Sequence, residues 1–178
     1  ITVDDLKIEI STARKEKYDV NSRKPKVTFT NINEDLLRRD FTVNAIAVSI
    51  VPDTYGMLID PLGGIKDLNR KRLLTPLSPD DTFSDDPLRM LRAIRFAAQL
   101  DFSIDQDVFD SIISQNDRLK IISKERITEE IIKLLKTNKP SIGFYLLRDT
   151  SLLEYIFPEM MSMSGVEIKN GMGHKDVF

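Results

Sequence analysis

Ser84–Phe102 reads SDDPLRMLRAIRFAAQLDF, and this stretch organises the rest of the chain. Pro87 has a fixed φ and no N–H, which suits the first position of a helix and puts Asp86 at the N-cap. Pro87, Met90, Leu91, Ile94, Ala97 and Ala98 then recur at three- and four-residue spacing, the mark of one buried helical face. Arg89, Arg92 and Arg95 step along a different side. Each three-residue step turns back about 60° and climbs about 4.5 Å, so the arginines form a slanting ladder beside the capping carboxylate.

Taken singly, these features are ordinary: an Asp before Pro caps a helix, and arginines opposite an apolar stripe form a solvated face. Their combination says more. A carboxylate that only accepts, three residues before a guanidinium that only donates, presents a paired edge at the helix start. Cytosine and adenine carry an exocyclic amine beside an unprotonated ring nitrogen, so they can give one hydrogen bond to Asp86 and take one from Arg89. Uracil and guanine present a carbonyl and a ring N–H there and leave both side chains unpaired, a costly outcome in a desolvated site.

C-terminal to this helix, Asp105–Gln115 predicts a second helix with Val108, Ile112 and Ile113 inward. Ser123 predicts the cap of a third, with Ile127, Ile131, Leu134 and Leu135 on one side. Pro140 ends it, a fourth follows around Ile142–Asp149, and weaker segments run to Met163; strand signals stop at Asp80. N-terminal to it, Leu6–Ser11 alternates as a half-buried strand that turns Glu9 away from Ile8 and Ile10. Thr12–Thr28, with six basic residues and Pro25, reads as a mobile basic loop, and Asn33 as the cap of a short helix over 34–39. Residues 44–51 and 57–60 bracket a turn and suggest a β-hairpin, with Ala45 and Ala47 leaving a helix open; 61–64 is a second turn before a short amphipathic piece, and 72–75 a further strand.

The 178 residues, 41% hydrophobic and 30% charged, suit a globular chain with a core. No apolar run approaches the roughly 18 residues of a membrane span, and no basic segment followed by an apolar stretch reads as a signal peptide, so no membrane partner is expected. Cysteine is absent, which rules out disulfides and thiolate metal sites and fits a reducing, cytoplasmic setting. With a formal net charge of −2, any nucleic-acid contact must come from local clusters such as Arg14–Lys26 or the arginine ladder. Ile1 opens the sequence without a methionine, inside what reads as a β region, and the chain reads as a fragment.

Four motifs in order, residues 38–45 (RRDFTVNA), 60–68 (DPLGGIKDL), 85–96 (DDPLRMLRAIRF) and 125–127 (ERI), resemble those of class II tRNA nucleotidyltransferases and bacterial poly(A) polymerases. The resemblance covers roughly Ile8 to Leu135. It implies an α+β chain: the remainder of a polymerase β-like head over 1–76, an all-helical neck over 77–139 that binds nucleotide and RNA, and the start of a helical or HD-type body over 140–178. It further implies template-independent addition of C, C and A to the tRNA 3′ end from CTP and ATP, with Mg²⁺ as cofactor. In the family, the residues matching Asp86 and Arg89 act as a protein template for the base, and those matching Arg92 and Arg95 bind the nucleotide. Arg39 and Asp40 match the motif that holds triphosphate and ribose, with Asn44 beside them and Arg38, Glu125 and Arg126 in support. Glu9 falls where a third, catalytic head carboxylate is found.

The sequence also departs from the family. Asp85 stands where the motif has Glu, and the Gly-Ser phosphate loop and Asp-x-Asp metal pair are not in these residues. Asp105-Gln106-Asp107 has the spacing but opens a helix, where capping is its role. Two-metal phosphoryl transfer needs closely spaced carboxylates, so these residues alone are expected to catalyse nothing, and the metal ligands stay unknown. Gly173–Phe178 resembles the opening of an HD phosphohydrolase domain, on a lone His174. A poly(A) polymerase shares every motif quoted, and a catalytically silent RNA-binding module or an HD-type hydrolase are the readings from other classes.

Overall fold

The computed structural model describes residues 2–3, 6–19, 22–163, 165, 168–169 and 172–173. The N-terminal part is built from short antiparallel pairs. β1 (Thr2–Val3) pairs with β2 (Leu6–Lys7), and β3 (Arg14–Asp19) with β4 (Ser22–Phe29), Arg14 facing Phe29 and Lys17 facing Lys26. The predicted strand over 6–11 therefore stops at Lys7. Ile8 and Ile10 are 39% and 76% exposed, so their alternation faces no core, and Glu9 sits in exposed irregular backbone. The predicted basic loop is instead a hairpin; Pro25 is compatible with it because a two-stranded ribbon leaves one edge of each strand unpaired.

α1 (Ile32–Leu37) is capped by Asn31, whose Oδ1 accepts from the Glu34 N–H at 3.1 Å; the cap is two residues earlier than Asn33. A 3-10 turn at Thr42–Asn44 leads to β5 (Ala47–Val48), which pairs antiparallel with β6 (Leu58–Ile59), the predicted hairpin, around a second 3-10 turn at Pro52–Thr54. α2 (Gly64–Arg70) follows. Asp60 receives the Gly64 and Ile65 N–H groups at 2.6 and 3.0 Å, so a carboxylate satisfies the free donors at the helix start. A Cβ on Gly64 would meet the Thr42 carbonyl oxygen at 2.2 Å: only glycine lets this helix start approach the 3-10 turn.

β7 (Arg72–Leu73) pairs parallel with β8 (Ser103–Ile104), reinforced by the Arg72–Asp105 ion pair. This strand after Asp80 was not expected, and two residues are too few to show any periodicity. Between the strands lie α3 (Pro79–Asp85) and α4 (Leu88–Leu100), the latter closed by Asp101 in the left-handed region at φ 57°. α5 (Gln106–Gln115), a 3-10 segment Asn116–Ile121, α6 (Lys124–Leu135), α7 (Pro140–Asp149), α8 (Leu153–Ile156) and α9 (Pro158–Ser162) complete the helical part, with β9 (Ile168–Lys169) and β10 (Met172–Gly173) beyond. Asp105 caps α5 through the Asp107 N–H, whereas Ser123 precedes α6 without a side-chain bond. His174, on which the HD resemblance rested, lies outside the described residues.

α4 is the central helix, packed on α6 and α7. Met90, Leu91, Ile94, Ala97 and Ala98 are buried as their spacing requires, and Leu88 and Ala93 widen the face. Phe41 and Leu73 from the N-terminal part join Phe83, Val108, Ile112, Leu119, Leu134, Leu147, Leu152 and Leu153 in the same core. Each such side chain contributes about 1.5–3 kcal/mol on burial. Two predicted core residues are outside it: Ile113 and Leu135 are 43% and 54% exposed, each next in sequence to a residue that takes the inward position. No helix among the described residues is long and apolar enough to cross a membrane.

Candidate functional site

Where α1, the Thr42–Asn44 turn and α4 converge, a cleft of about 430 Å³ opens, a volume within the range of small-ligand sites. Arg38, Arg39, Asp40 and Asn44 line it from the N-terminal part; Asp86, Leu88, Arg89, Arg92 and Phe96 line it from the start of α4; Arg126 closes it from α6. Five guanidiniums against two carboxylates give the lining an excess of positive charge, which suits an anionic group.

Asp40 is 7% exposed and fully engaged. Its Oδ1 accepts from the Phe41 N–H at 2.9 Å and Asn44 Nδ2 at 3.0 Å, and its Oδ2 from Arg92 Nε and Nη2 at 2.7 and 2.6 Å. Arg92 thus bridges the two halves of the cleft. Arg89, half-buried, donates to the Arg38 carbonyl at 2.7 Å and more loosely to the Thr82 carbonyl at 3.4 Å.

Asp86 has extended backbone (φ −142°, ψ 98°) between α3 and α4. Its Oδ1 receives the Leu88 N–H at 3.2 Å and its carbonyl the Arg89 N–H at 3.0 Å, so it does cap, although the regular helix starts at Leu88. Its Oδ2 receives Arg126 Nη2 at 2.9 Å. One oxygen holds the helix and the other faces the cleft.

The ladder divides at its third rung. Arg95, which the resemblance assigns to nucleotide binding, is only 7% exposed and lies outside the cleft lining. Its Nε donates to Glu130 at 2.6 Å, its Nη1 to Gln99 at 2.7 Å, and its guanidinium stacks 4.0 Å from the centre of the Phe96 ring. Glu130 on α6 draws it inward. Burial pushes the Glu130 carboxyl pKa up, but the hydrogen bonds and charges of Lys133 and Arg95 outweigh this and hold it below its ordinary value. Glu125, in the exposed first turn of α6, and Glu9 are not part of the cleft.

The sequence reading did not single out Phe96, Glu130 or Asp35. Phe96 could have been found: it stands four residues after Arg92 and seven after Arg89, on the same helical side. It forms an apolar wall, with its edge on Phe41 at 5.8 Å between ring centres. Glu130 becomes visible only when α6 is laid on α4. Asp35 shows the same logic closer in sequence. It is 5% exposed; burial raises its pKa, and the Arg14 N–H with the Arg38 and Arg39 guanidiniums brings it below the ordinary value.

Among the described residues no group of three His, Asp or Glu side chains could hold a metal ion, and both Asp40 oxygens are committed. These residues do not form a metal site.

Residues 1–74 match the family described as the poly A polymerase head domain, and residues 101–163 the family described as the probable RNA and SrmB-binding site of polymerase A. The chain belongs to the tRNA nucleotidyltransferase and poly(A) polymerase family. It is 41% identical over 166 residues to the CCA-adding enzyme of Anoxybacillus flavithermus, a match that covers 92% of this chain and 41% of that enzyme. The chain thus spans about two fifths of the length of that curated relative. Among solved structures it is similar to the Bacillus stearothermophilus CCA-adding enzyme in complex with CTP, with 37% identity, TM-score 0.70, and coverage of 80% of this chain and 33% of that one. A tRNA nucleotidyltransferase complexed with a primer tRNA and an incoming ATP analog is similar at 31% identity, TM-score 0.68, over 76% of this chain and 42% of that one. Family membership accords with the α+β arrangement: short sheets and a helix start around the cleft, then helices alone up to Ser162 apart from β8.

Proposed function

We propose that this chain carries the nucleotide-selecting part of a CCA-adding tRNA nucleotidyltransferase, which extends a tRNA 3′ end from CTP and ATP. The observation that carries it is the placement of Asp86 and Arg89 on one wall of a guanidinium-rich cleft, with Asp40 and Asn44 opposite. The kinship to CCA-adding enzymes, one of them solved with CTP, supports the same reading.

In this reading the triphosphate lies against Arg39 and Arg92, whose N–H groups suit phosphate oxygens. The ribose lies toward Asp40 and Asn44. The base displaces Arg126 from Asp86 Oδ2, gives its amine hydrogen to that oxygen, and takes a hydrogen bond at its ring nitrogen from Arg89. Oδ1 keeps its bond to the Leu88 N–H throughout, so the reading carboxylate stays anchored while its partner changes. Arg95 supports Phe96 from behind, and Glu9 remains a candidate carboxylate for the head. The division into head (1–76), neck (77–139) and body (from 140), the Mg²⁺ requirement and a cytoplasmic setting belong to the same proposal. The last two rest on kinship and on the tRNA substrate class.

Asp86→Asn tests it. Asparagine still caps through its side-chain oxygen but places an amide donor at the cleft, which suits the carbonyl of uracil or guanine. In the complete gene product, supplied with tRNA lacking its 3′ end, the variant is expected to gain UTP or GTP incorporation relative to CTP and ATP. Unchanged selectivity in a folded, active variant would return Asp86 to capping alone. A wild-type protein that adds only runs of A, and no C, would favour poly(A) polymerase, the alternative that shares these motifs.

A further inference from the structure

Asp35 lies outside the cleft, and the nucleotide reading gives it no part. Its side chain is 6% exposed, yet it accepts four hydrogen bonds. The Arg14 N–H and Arg38 Nε each reach Oδ1 at 3.0 Å, Arg38 Nη2 reaches the same oxygen at 2.7 Å, and Arg39 Nη2 reaches Oδ2 at 2.9 Å. Arg38 Nε also donates to the Arg14 carbonyl at 2.9 Å, and Lys15 pairs with Glu34 at 2.8 Å. The root of the β3–β4 hairpin is thereby fastened to α1 through both backbone groups of Arg14. Arg38 and Arg39 line the cleft, and the Arg38 carbonyl is the one that holds Arg89.

We propose that Asp35 is a positioning residue for triphosphate binding: it presets Arg38 and Arg39 on the cleft wall and couples their placement to the seating of the β3–β4 hairpin. The proposal rests on the nucleotide reading of the cleft. Two effects oppose each other at this residue. A carboxylate behind the arginines repels phosphate, which favours losing it. Against this, Asp35 cancels the repulsion between two adjacent guanidiniums and immobilises them before any ligand arrives, so their ordering cost is not met on binding. The geometry decides between them. The carboxylate is buried and its oxygens are committed to the two cations and to the Arg14 N–H, whereas Arg39, which lines the cleft, keeps 45% of its side chain exposed. Two cations and one anion leave a net positive group with fixed donors.

The test measures binding of CTP and of inorganic tripolyphosphate to the complete gene product by titration calorimetry, with turnover measured alongside. Asp35→Asn keeps the shape but removes the charge and turns an amide donor toward a guanidinium. It is expected to weaken both probes about tenfold, equivalent to about 1.4 kcal/mol, with KM for CTP rising in proportion and the CTP to UTP preference unchanged. Asp35→Glu is expected to recover most of the loss. A folded Asp35→Asn protein that binds tripolyphosphate as tightly as wild type, or more tightly, overturns the proposal, because the Coulomb repulsion has then won. If Asp35→Asn does not fold, Asp35→Ser is made alone and with Arg39→Gln. A loss from Asp35→Ser that disappears in the Arg39→Gln background supports action through Arg39, and additive losses or no loss overturn it. A wild-type protein that binds neither probe overturns the nucleotide reading and this proposal with it. Wild type and Asp35→Asn binding both probes equally well overturn this proposal alone.

Discussion

At Glu130 a buried carboxylate meets Arg95 Nε at 2.6 Å, Lys133 Nζ at 2.8 Å and Arg92 Nη1 at 3.8 Å. Lys133 is half exposed, so solvent weakens its pairing, whereas Arg95 is nearly as buried as Glu130 and its pairing contributes the larger share to stability. Glu130→Gln is expected to cost about 1.5–3 kcal/mol, the range for hydrogen bonds to charged groups, measured as a shift in urea midpoint at neutral pH. The acid dependence follows from the direction of the pKa. Because the folded value is lowered, the stabilisation is fully present above the ordinary carboxyl range near pH 4.3 and is lost as pH falls through the folded value. Wild type should therefore lose stability more steeply than Glu130→Gln as the pH is lowered below about 4.5. Parallel curves would assign that acid loss to other carboxylates, Asp35 among them, whose pKa is lowered in the same way.

Among the secondary-structure elements, helix ends hold the site together. α2 begins on the Asp60 carboxylate and stops at Lys71, which takes the left-handed conformation (φ 54°, ψ 46°) and sends its N–H back to the Asp67 and Leu68 carbonyls. Its own carbonyl receives the Ser103 N–H at 2.9 Å at the edge of the β7–β8 pair. A lysine in this region costs about 1–2 kcal/mol, and glycine costs nothing sterically but loses more entropy on folding. Lys71→Gly should therefore raise stability by about 0.5–1 kcal/mol, visible as a higher melting temperature. A lower melting temperature would show that the lysine side chain makes a contact worth more than the strain. Asp101 ends α4 in the same conformation, with its N–H on the Ala97 carbonyl, and there the turn delivers the chain to β8.

Across the molecule, two parts meet at a few close approaches, and the cleft depends on them. Phe41 and Leu73 enter the helical core, and Arg92 and Arg89 reach across to Asp40 and to the Arg38 carbonyl. Within the N-terminal part, the Thr42 N–H bonds the Leu74 carbonyl at 2.9 Å and Gly64 lies against the Thr42 carbonyl, which fixes the turn that carries Asn44. The adjacent glycines 63 and 64 test this. Gly63 has φ 72° and open space where a Cβ would stand, so Gly63→Ala should cost only the left-handed penalty of about 1 kcal/mol. Gly64→Ala puts a methyl group against backbone that cannot step aside. It should cost about 2–3 kcal/mol and also raise KM for nucleotide, because the displaced turn carries Asn44. Denaturant midpoints and steady-state kinetics on both variants check it; the reverse order of losses would remove Gly64 as the point of contact.

Local sequence was enough to read the central helix, its buried face, the helices C-terminal to it, the hairpin over 47–59 and the motif series that fixes the family. These are local properties: a 3.6-residue period, a proline at a helix start and a carboxylate before free N–H groups all act within one turn of chain. The same reading named Arg38, Arg39, Asp40, Asn44, Asp86, Arg89, Arg92 and Arg126, which the folded chain gathers around one cleft. Other features were not legible. The β3–β4 hairpin is dense in basic residues and has no apolar alternation to announce it, and β8 is two residues long and exists through β7, a partner distant in sequence. Arg95 and Arg92 both read as rungs of one exposed ladder; only Glu130, 35 residues beyond Arg95, turns one into the core while the other crosses to Asp40. The spacing of residues sets which way a side chain leaves its helix. Its partner there is set by packing between distant segments, because the desolvation that makes a charge pair or a hydrogen bond matter exists only once those segments have come together.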